Sequence, residues 1–232
     1  MNLDYTNLSH YALALLPEVV LSLWAMLVLM VDVFQKADRG GQSSQLIGWL
    51  TLGGIVLAGV ANGFLLSFEE STTTGMMALD AFRVFANFLF LGAAAMFVLV
   101  ADRYVDEEHM RLGELYVLVL LACVGMMVFA GSRDLMVIFL GLELTSVPVY
   151  VLTGVKRRDR RSAEAALKYF LLGAFSSAFF LFGVALIYGG TGTTNLPRIA
   201  AAIGVDGVGA DALSTVGLAL LAVGFGFKVA AV

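Results

Sequence analysis

One cysteine among 232 residues excludes two chemistries at once. Cys123 can form neither an intrachain disulfide nor a thiolate cage for a metal or an iron–sulfur cluster, and in its apolar run it reads as a small buried hydrophobe. Charge is scarce as well, at 14% of residues, and the net value of −4 includes no basic stripe of the kind nucleic acid requires. No HExxH, nucleophile elbow or dinucleotide fingerprint occurs. The glycine-rich GGTGTT at 189–194 lacks the Lys-Ser/Thr ending of a phosphate-binding loop and reads as a helix C-terminus followed by a turn. These absences exclude every familiar soluble active site.

What is present is hydrophobicity. Sixty per cent of the residues are hydrophobic, and the mean hydropathy is +0.91. A soluble domain of this size would expose too much apolar surface, so the lipid bilayer is the expected solvent and the first partner. Seven stretches are long enough to cross ~30 Å of hydrocarbon: about 11–34, 46–66, 81–101, 113–131, 134–155, 163–189 and 212–232. The first is no cleaved signal peptide, because residues 1–10 carry no Lys or Arg and the run is too long. Backbone groups in lipid must be satisfied within each segment, which predicts an all-α, polytopic integral membrane bundle of about seven transmembrane helices.

Positive charge sets the expected orientation. Lys36, Arg39, Arg103, Arg111, Lys156, Arg157, Arg158, Arg160 and Arg161 fall in alternate loops, against Arg83, Arg133 and Arg198 on the other side. This bias predicts an N-terminus outside and the basic loop 156–161 in the cytoplasm, as a topology signal and lipid-headgroup contact. On the outer side, TGTTNLPRIAAAIG (191–204) predicts a short surface helix containing Pro197 and capped by Asn195. The chain closes at Val232 in an apolar segment with no polar tail, which predicts a fragment cut inside or at the end of a helix.

Three ionisable residues fall well inside the spans: Glu143, Lys168 and Lys228. Others, namely Glu18, Asp32, Asp80, Glu114 and Asp134, lie within a turn or two of an interface, where caps and interfacial anchors compete with functional roles. Glu143, in FLGLELTSVPVYVL (139–152), is ~14 Å beyond Asp134 at 1.5 Å per residue, close to the midplane. Ser146 and Tyr150 follow on the same helical face, and Pro148 leaves the Leu144 carbonyl without its usual donor. A carboxylate beside a spare carbonyl suggests a wet, protein-lined cavity. Lys168 is ~8 Å deep; it reads equally as an intramembrane relay or as a snorkelling lysine paired with Glu164 one turn earlier. Lys228, in GFGFKVAAV, is ~24 Å from Ala212, with Gly224 and Gly226 allowing close packing or a helix break. It needs a partner from another segment, and Glu143 and Lys168 are the candidates. A lysine and a carboxylate tune each other's proton affinity according to their separation, so changing the Glu143–Lys228 distance would load or release a proton.

The residues also carry a family likeness. GMMVFAGSRDLMVIFLGLELTSVPVYVL (125–152), RRSAEAALKYFLLGAFSSAFFLFGVALIYGGTGTT (160–194) and GFGFKVAAV (224–232) resemble subunit N of bacterial respiratory complex I, as do LLPEVVL (15–21) and Gly113-Glu114. ALKYFLLGAFSSA is more like subunit N than the related subunits L and M. The resemblance implies an antiporter-like fold of about fourteen helices with two inverted five-helix repeats. This chain would supply only the N-terminal half, truncated within or after helix seven. It would divide into three N-terminal helices (1–112) and the first part of the inverted repeat (113–232). Glu143, Lys168 and Lys228 would match the family's helix-five glutamate, helix-six lysine and helix-seven lysine; the later lysines of helices eight and twelve have no counterpart.

The function so implied is that of a proton-translocating membrane-arm subunit of NADH:quinone oxidoreductase. Its partners would be the other membrane-arm subunits, including antiporter-like subunit M and small subunits. The chain itself would bind no cofactor: FMN, iron–sulfur clusters and quinone belong to other subunits. An Mrp-type cation/proton antiporter and a structural membrane scaffold are the alternatives, and the expected location is a bacterial inner membrane.

Overall fold

The computed structural model describes residues 12–34, 42–67, 75–107, 112–156, 159–205 and 212–229. Lys36, Arg39, Arg111, Arg157 and Arg158 of the basic loops lie outside the described residues, as do residues 1–10, residue 11 of the first expected segment and residues 230–232 of the last. The helices run α1 (Leu16–Phe34), α2 (Gln42–Phe64), α3 (Ala81–Glu107), α4 (Leu112–Gly131), α5 (Leu135–Thr153), α6 (Arg160–Thr191), α7 (Leu196–Val205) and α8 (Ala212–Lys228). Each of the seven predicted segments contains one of them, and α7 is the predicted short helix.

Among the described residues, six helices, α1 to α6, are long and apolar enough to cross a membrane, while α8 is a shorter apolar helix. Their surface is inverted relative to a water-soluble protein. Trp49, Phe34 and Val100 are more than 70% exposed, whereas Arg83, Asn62 and Asn87 are fully buried. Apolar solvent outside and polar contacts inside are what a bilayer selects.

Local chemistry explains where the elements start and stop. Asp134, in an extended conformation, caps α5 by accepting from the Met136 amide at 2.9 Å. Asp159 caps α6 in the same way through Arg161. Helix α6 ends at Gly192, whose φ of 71° is the left-handed C-cap conformation, with its N–H donated to the Tyr188 carbonyl at 2.7 Å. Asn195 opens α7: its carbonyl accepts from the Ile199 amide and its side chain from the Arg198 amide. Pro148 is accommodated within a continuous α5.

Two buried clusters organise the packing. One gathers Leu21 of α1, Ala58 of α2, Val98 of α3 and Leu120 and Met127 of α4, with Cys123 fully buried among them. The other joins Ile138 of α5, Phe180 and Ile187 of α6, Ile199 of α7 and Leu221 of α8. Helices α4 and α5 interlock between them. A Cβ at Gly141 would lie 2.8 Å from the Phe129 backbone nitrogen, and one at Gly125 would collide with the Thr145 backbone. Such small residues let transmembrane backbones approach closely.

One end of the bundle is pinned by backbone bonds. Ala78 N donates to Gly131 O at 2.7 Å, Arg133 N to Met76 O at 2.8 Å, Leu135 N to Thr194 O at 2.9 Å and Leu196 N to Arg133 O at 2.9 Å. Thr194 also donates its hydroxyl to Asp134 at 2.6 Å. The start of α5 is thereby fixed against both the segment preceding α3 and the turn after α6.

Candidate functional site

Helix α5 presents Glu143, Ser146 and Tyr150 on one face, and the last residue of α8 reaches into that face. Lys228 Nζ is 2.6 Å from Ser146 Oγ, 3.3 Å from the Tyr150 hydroxyl and 3.7 Å from Glu143 Oε1. The lysine side chain is 14% exposed and the glutamate 29%. Counting explains the meeting. Tyr150 lies ~24 Å beyond Asp134 and Lys228 ~24 Å beyond Ala212, so their backbones are level. Helical side chains lean toward the N-terminus, which carries the ammonium up past Ser146 toward Glu143.

Helix α6 completes the site. Ser177 donates its hydroxyl to Glu143 Oε1. Its neighbour Ser176 donates to the Gly224 carbonyl at 3.1 Å, tying α6 to α8 one turn before Lys228. The Tyr150 ring is wedged edge-on against Tyr169 at 4.7 Å and Phe170 at 5.9 Å. At 3.7 Å, opposite charges attract by about 4–5 kcal/mol with an effective dielectric near 20, before desolvation is subtracted. Moving them to about 8 Å apart would halve that attraction.

The third predicted residue is placed elsewhere. Lys168 pairs with Glu164 on its own helix at 2.6 Å, with both side chains more than 60% exposed. The structure therefore brings Glu143 and Lys228 together and leaves Lys168 outside their cluster. Of the two partners open to Lys228 on sequence grounds, it meets the glutamate. Among the described residues, no three His, Cys, Asp or Glu side chains gather as a metal-ligand group.

Two polar features of the bundle are not evident from the sequence. Ser177 sits in the run AFSSAFF, where a serine reads as a small packing residue, and only the facing glutamate reveals it. The second is a buried ion pair between Arg83 of α3 and Glu18 of α1, at 2.6 Å. Arg83 also donates to the Ala14 carbonyl at 2.6 Å and the Ala78 carbonyl at 3.0 Å, and packs against Gly131. One turn further along α3, Asn87 donates to Asn62 of α2, which in turn donates to the Val84 carbonyl. On sequence grounds Arg83 counts as a loop charge and Glu18 as a residue near an interface; both lie inside the bundle. The available signal is Arg83 and Asn87 one turn apart in the otherwise apolar span 81–101.

Comparison with known proteins finds similar chains among respiratory membrane proteins. Residues 132–232, which hold Glu143, Lys168 and Lys228, match the family model described as NADH:quinone oxidoreductase/Mrp antiporter, TM. Over 94% of its length the chain is 44% identical to NADH-quinone oxidoreductase subunit N of Trichlorobacter lovleyi, covering 44% of that protein. It is 40% identical to subunit N 2 of Symbiobacterium thermophilum, covering 46% of it. The chain thus spans less than half the length of the curated relatives it matches. Among solved structures, a chain of respiratory complex I from Thermus thermophilus with bound aureothin is 31% identical, with a TM-score of 0.68 over 91% of this chain and 43% of that one. A chain of the membrane-bound sulfane sulfur reductase, an archaeal respiratory membrane complex, has a TM-score of 0.77 over 92% of this chain and 44% of its own, and at 23% identity shares the fold alone.

Proposed function

We propose that this chain, whose residues 132–232 match the NADH:quinone oxidoreductase/Mrp antiporter family model and which is 44% identical over 94% of its length to a subunit N, serves as a proton-translocating membrane-arm subunit of NADH:quinone oxidoreductase. The observation that carries this reading is the 3.7 Å approach of Lys228 to Glu143, made across two helices in a polar niche of an apolar bundle. A conformational step elsewhere in the complex that widens or narrows this gap changes the proton affinity of both groups, and so loads or releases a proton without redox chemistry in this chain. Lys168, nearer the start of α6, acts as a relay on the cytoplasmic side. Residues 113–232 supply the switch and residues 1–112 brace it.

In this role the chain sits in a bacterial inner membrane with its N-terminus outside and the basic stretch 156–161, which runs into the start of α6, in the cytoplasm. It contacts other membrane-arm subunits, among them antiporter-like subunit M and small subunits. FMN, iron–sulfur clusters and quinone act on those other parts of the assembly. The test is the proton-to-electron ratio of a complex carrying Glu143→Gln or Lys228→Ala. Loss of coupled pumping is expected in each, and a full ratio in both would remove the assigned roles.

An Mrp-type cation/proton antiporter is the second reading, favoured by the matched family description, which names both classes. Neighbouring genes distinguish them: a run of complex I subunits supports the first, Mrp partners the second.

A further inference from the structure

The Lys228 ammonium is not hydrogen-bonded to the carboxylate it faces. Its hydrogen-bond lengths are to Ser146 Oγ, 2.6 Å, and to the Tyr150 hydroxyl, 3.3 Å, whereas Glu143 Oε1 stands off at 3.7 Å. That same carboxylate oxygen already accepts from Ser177. We propose that the Ser146 and Tyr150 hydroxyls form a separate resting dock for Lys228, with Ser177 holding the Glu143 carboxylate while the lysine occupies it. This rests on the reading of Glu143 and Lys228 as a proton switch, and it gives that switch its second position.

Each hydroxyl is oriented by contacts that do not involve the lysine. Ser146 donates its proton to the Leu142 carbonyl at 2.5 Å, which turns its lone pairs toward Lys228 and fixes it as an acceptor. The Tyr150 ring is wedged by Tyr169 and Phe170, and its oxygen lies in a notch left by Gly173, where any Cβ would collide with it. The ammonium is carried on a long, flexible four-carbon stem from α8, so it is the mobile partner. Closing the remaining gap to Glu143 would form a charge-assisted hydrogen bond and surrender the one to Ser146. The ionisable groups facing the ammonium are Glu143 and Tyr150 from α5 and Tyr169 from α6. Ser146, Tyr150 and Ser177 thereby set how long the lysine waits between carboxylate contacts.

The test uses the whole respiratory complex carrying Tyr150→Phe, Ser146→Ala or both, with Glu143→Gln measured alongside. Tyr150→Phe keeps the ring and its packing. With the dock removed, turnover of coupled quinone reduction is expected to fall about tenfold in the double variant, with a displaced pH profile. Gly173→Ala, which pushes the Tyr150 oxygen off its position, is expected to reproduce the Tyr150→Phe profile. If Tyr150→Phe impairs assembly, Ser146→Ala, which removes one oxygen, carries the same expectation of a slowed rate and altered profile. Wild-type rate and pH profile in Ser146→Ala and in the double variant, with Glu143→Gln inactive, would overturn the dock and leave the switch standing. Full pumping in Glu143→Gln would overturn the switch, and the dock with it.

Discussion

Replacing Arg83 by methionine removes a charge that the fold has built itself around. The guanidinium is fully buried, pairs with Glu18 at 2.6 Å, and satisfies the Ala14 and Ala78 carbonyls. Losing one member of a buried ion pair costs about 3–5 kcal/mol, because the partner is left charged and unpaired. The two stranded carbonyls add to this where water cannot replace the donor. We expect Arg83→Met to lose about 4 kcal/mol or more, read as a lowered midpoint in denaturant unfolding of the chain in detergent at unchanged slope. Glu18→Leu combined with Arg83→Met is expected to recover most of that loss, since apolar replacement of both partners is often nearly neutral. A loss under about 1 kcal/mol in the single variant, or purely additive losses in the double, would refute the argument.

Three further outcomes follow from the packing and from the assigned roles. Gly141→Val drives a side chain against the Phe129 backbone, and is expected to destabilise the α4–α5 pair by about 1–3 kcal/mol, measured as faster proteolysis near residues 131–135. Asp134→Ala loses the α5 cap and the Thr194 bond; an opening free energy lower by about 1–2 kcal/mol is expected in hydrogen exchange of the Leu135 and Met136 amides. Lys168→Gln breaks an exposed pair, so stability should change by about 0.5 kcal/mol at most. A relay role predicts slower pumping in the same variant, and an unchanged rate would confine Lys168 to its pair with Glu164.

The helices were legible because the bilayer demands length and hydrophobicity together, and each predicted segment holds a helix. Depth counting also carried information: Tyr150 and Lys228 fall at the same distance from their helix starts, and they touch. Counting along single helices does not reveal which faces turn toward each other. Ser177 therefore gained meaning only when α6 placed it on Glu143. Glu18 and Arg83 escaped for a related reason. Each stands near a helix end, where charges ordinarily reach headgroups, and their partnership spans 65 residues of sequence. The two readings of Lys168 stayed balanced in sequence because Glu164 supplies a local partner whatever the lysine does in the assembled complex.

The central claim is that Glu143 and Lys228 act as one unit, and a double-mutant cycle on coupled turnover tests it most directly. Glu143→Gln, Lys228→Met and the double variant would be compared in the intact complex by proton pumping per electron and by rate. Residues that work together give strongly non-additive losses, so the double variant is predicted to be no worse than the more damaged single. Losses that multiply, as for two independent sites, would contradict the account.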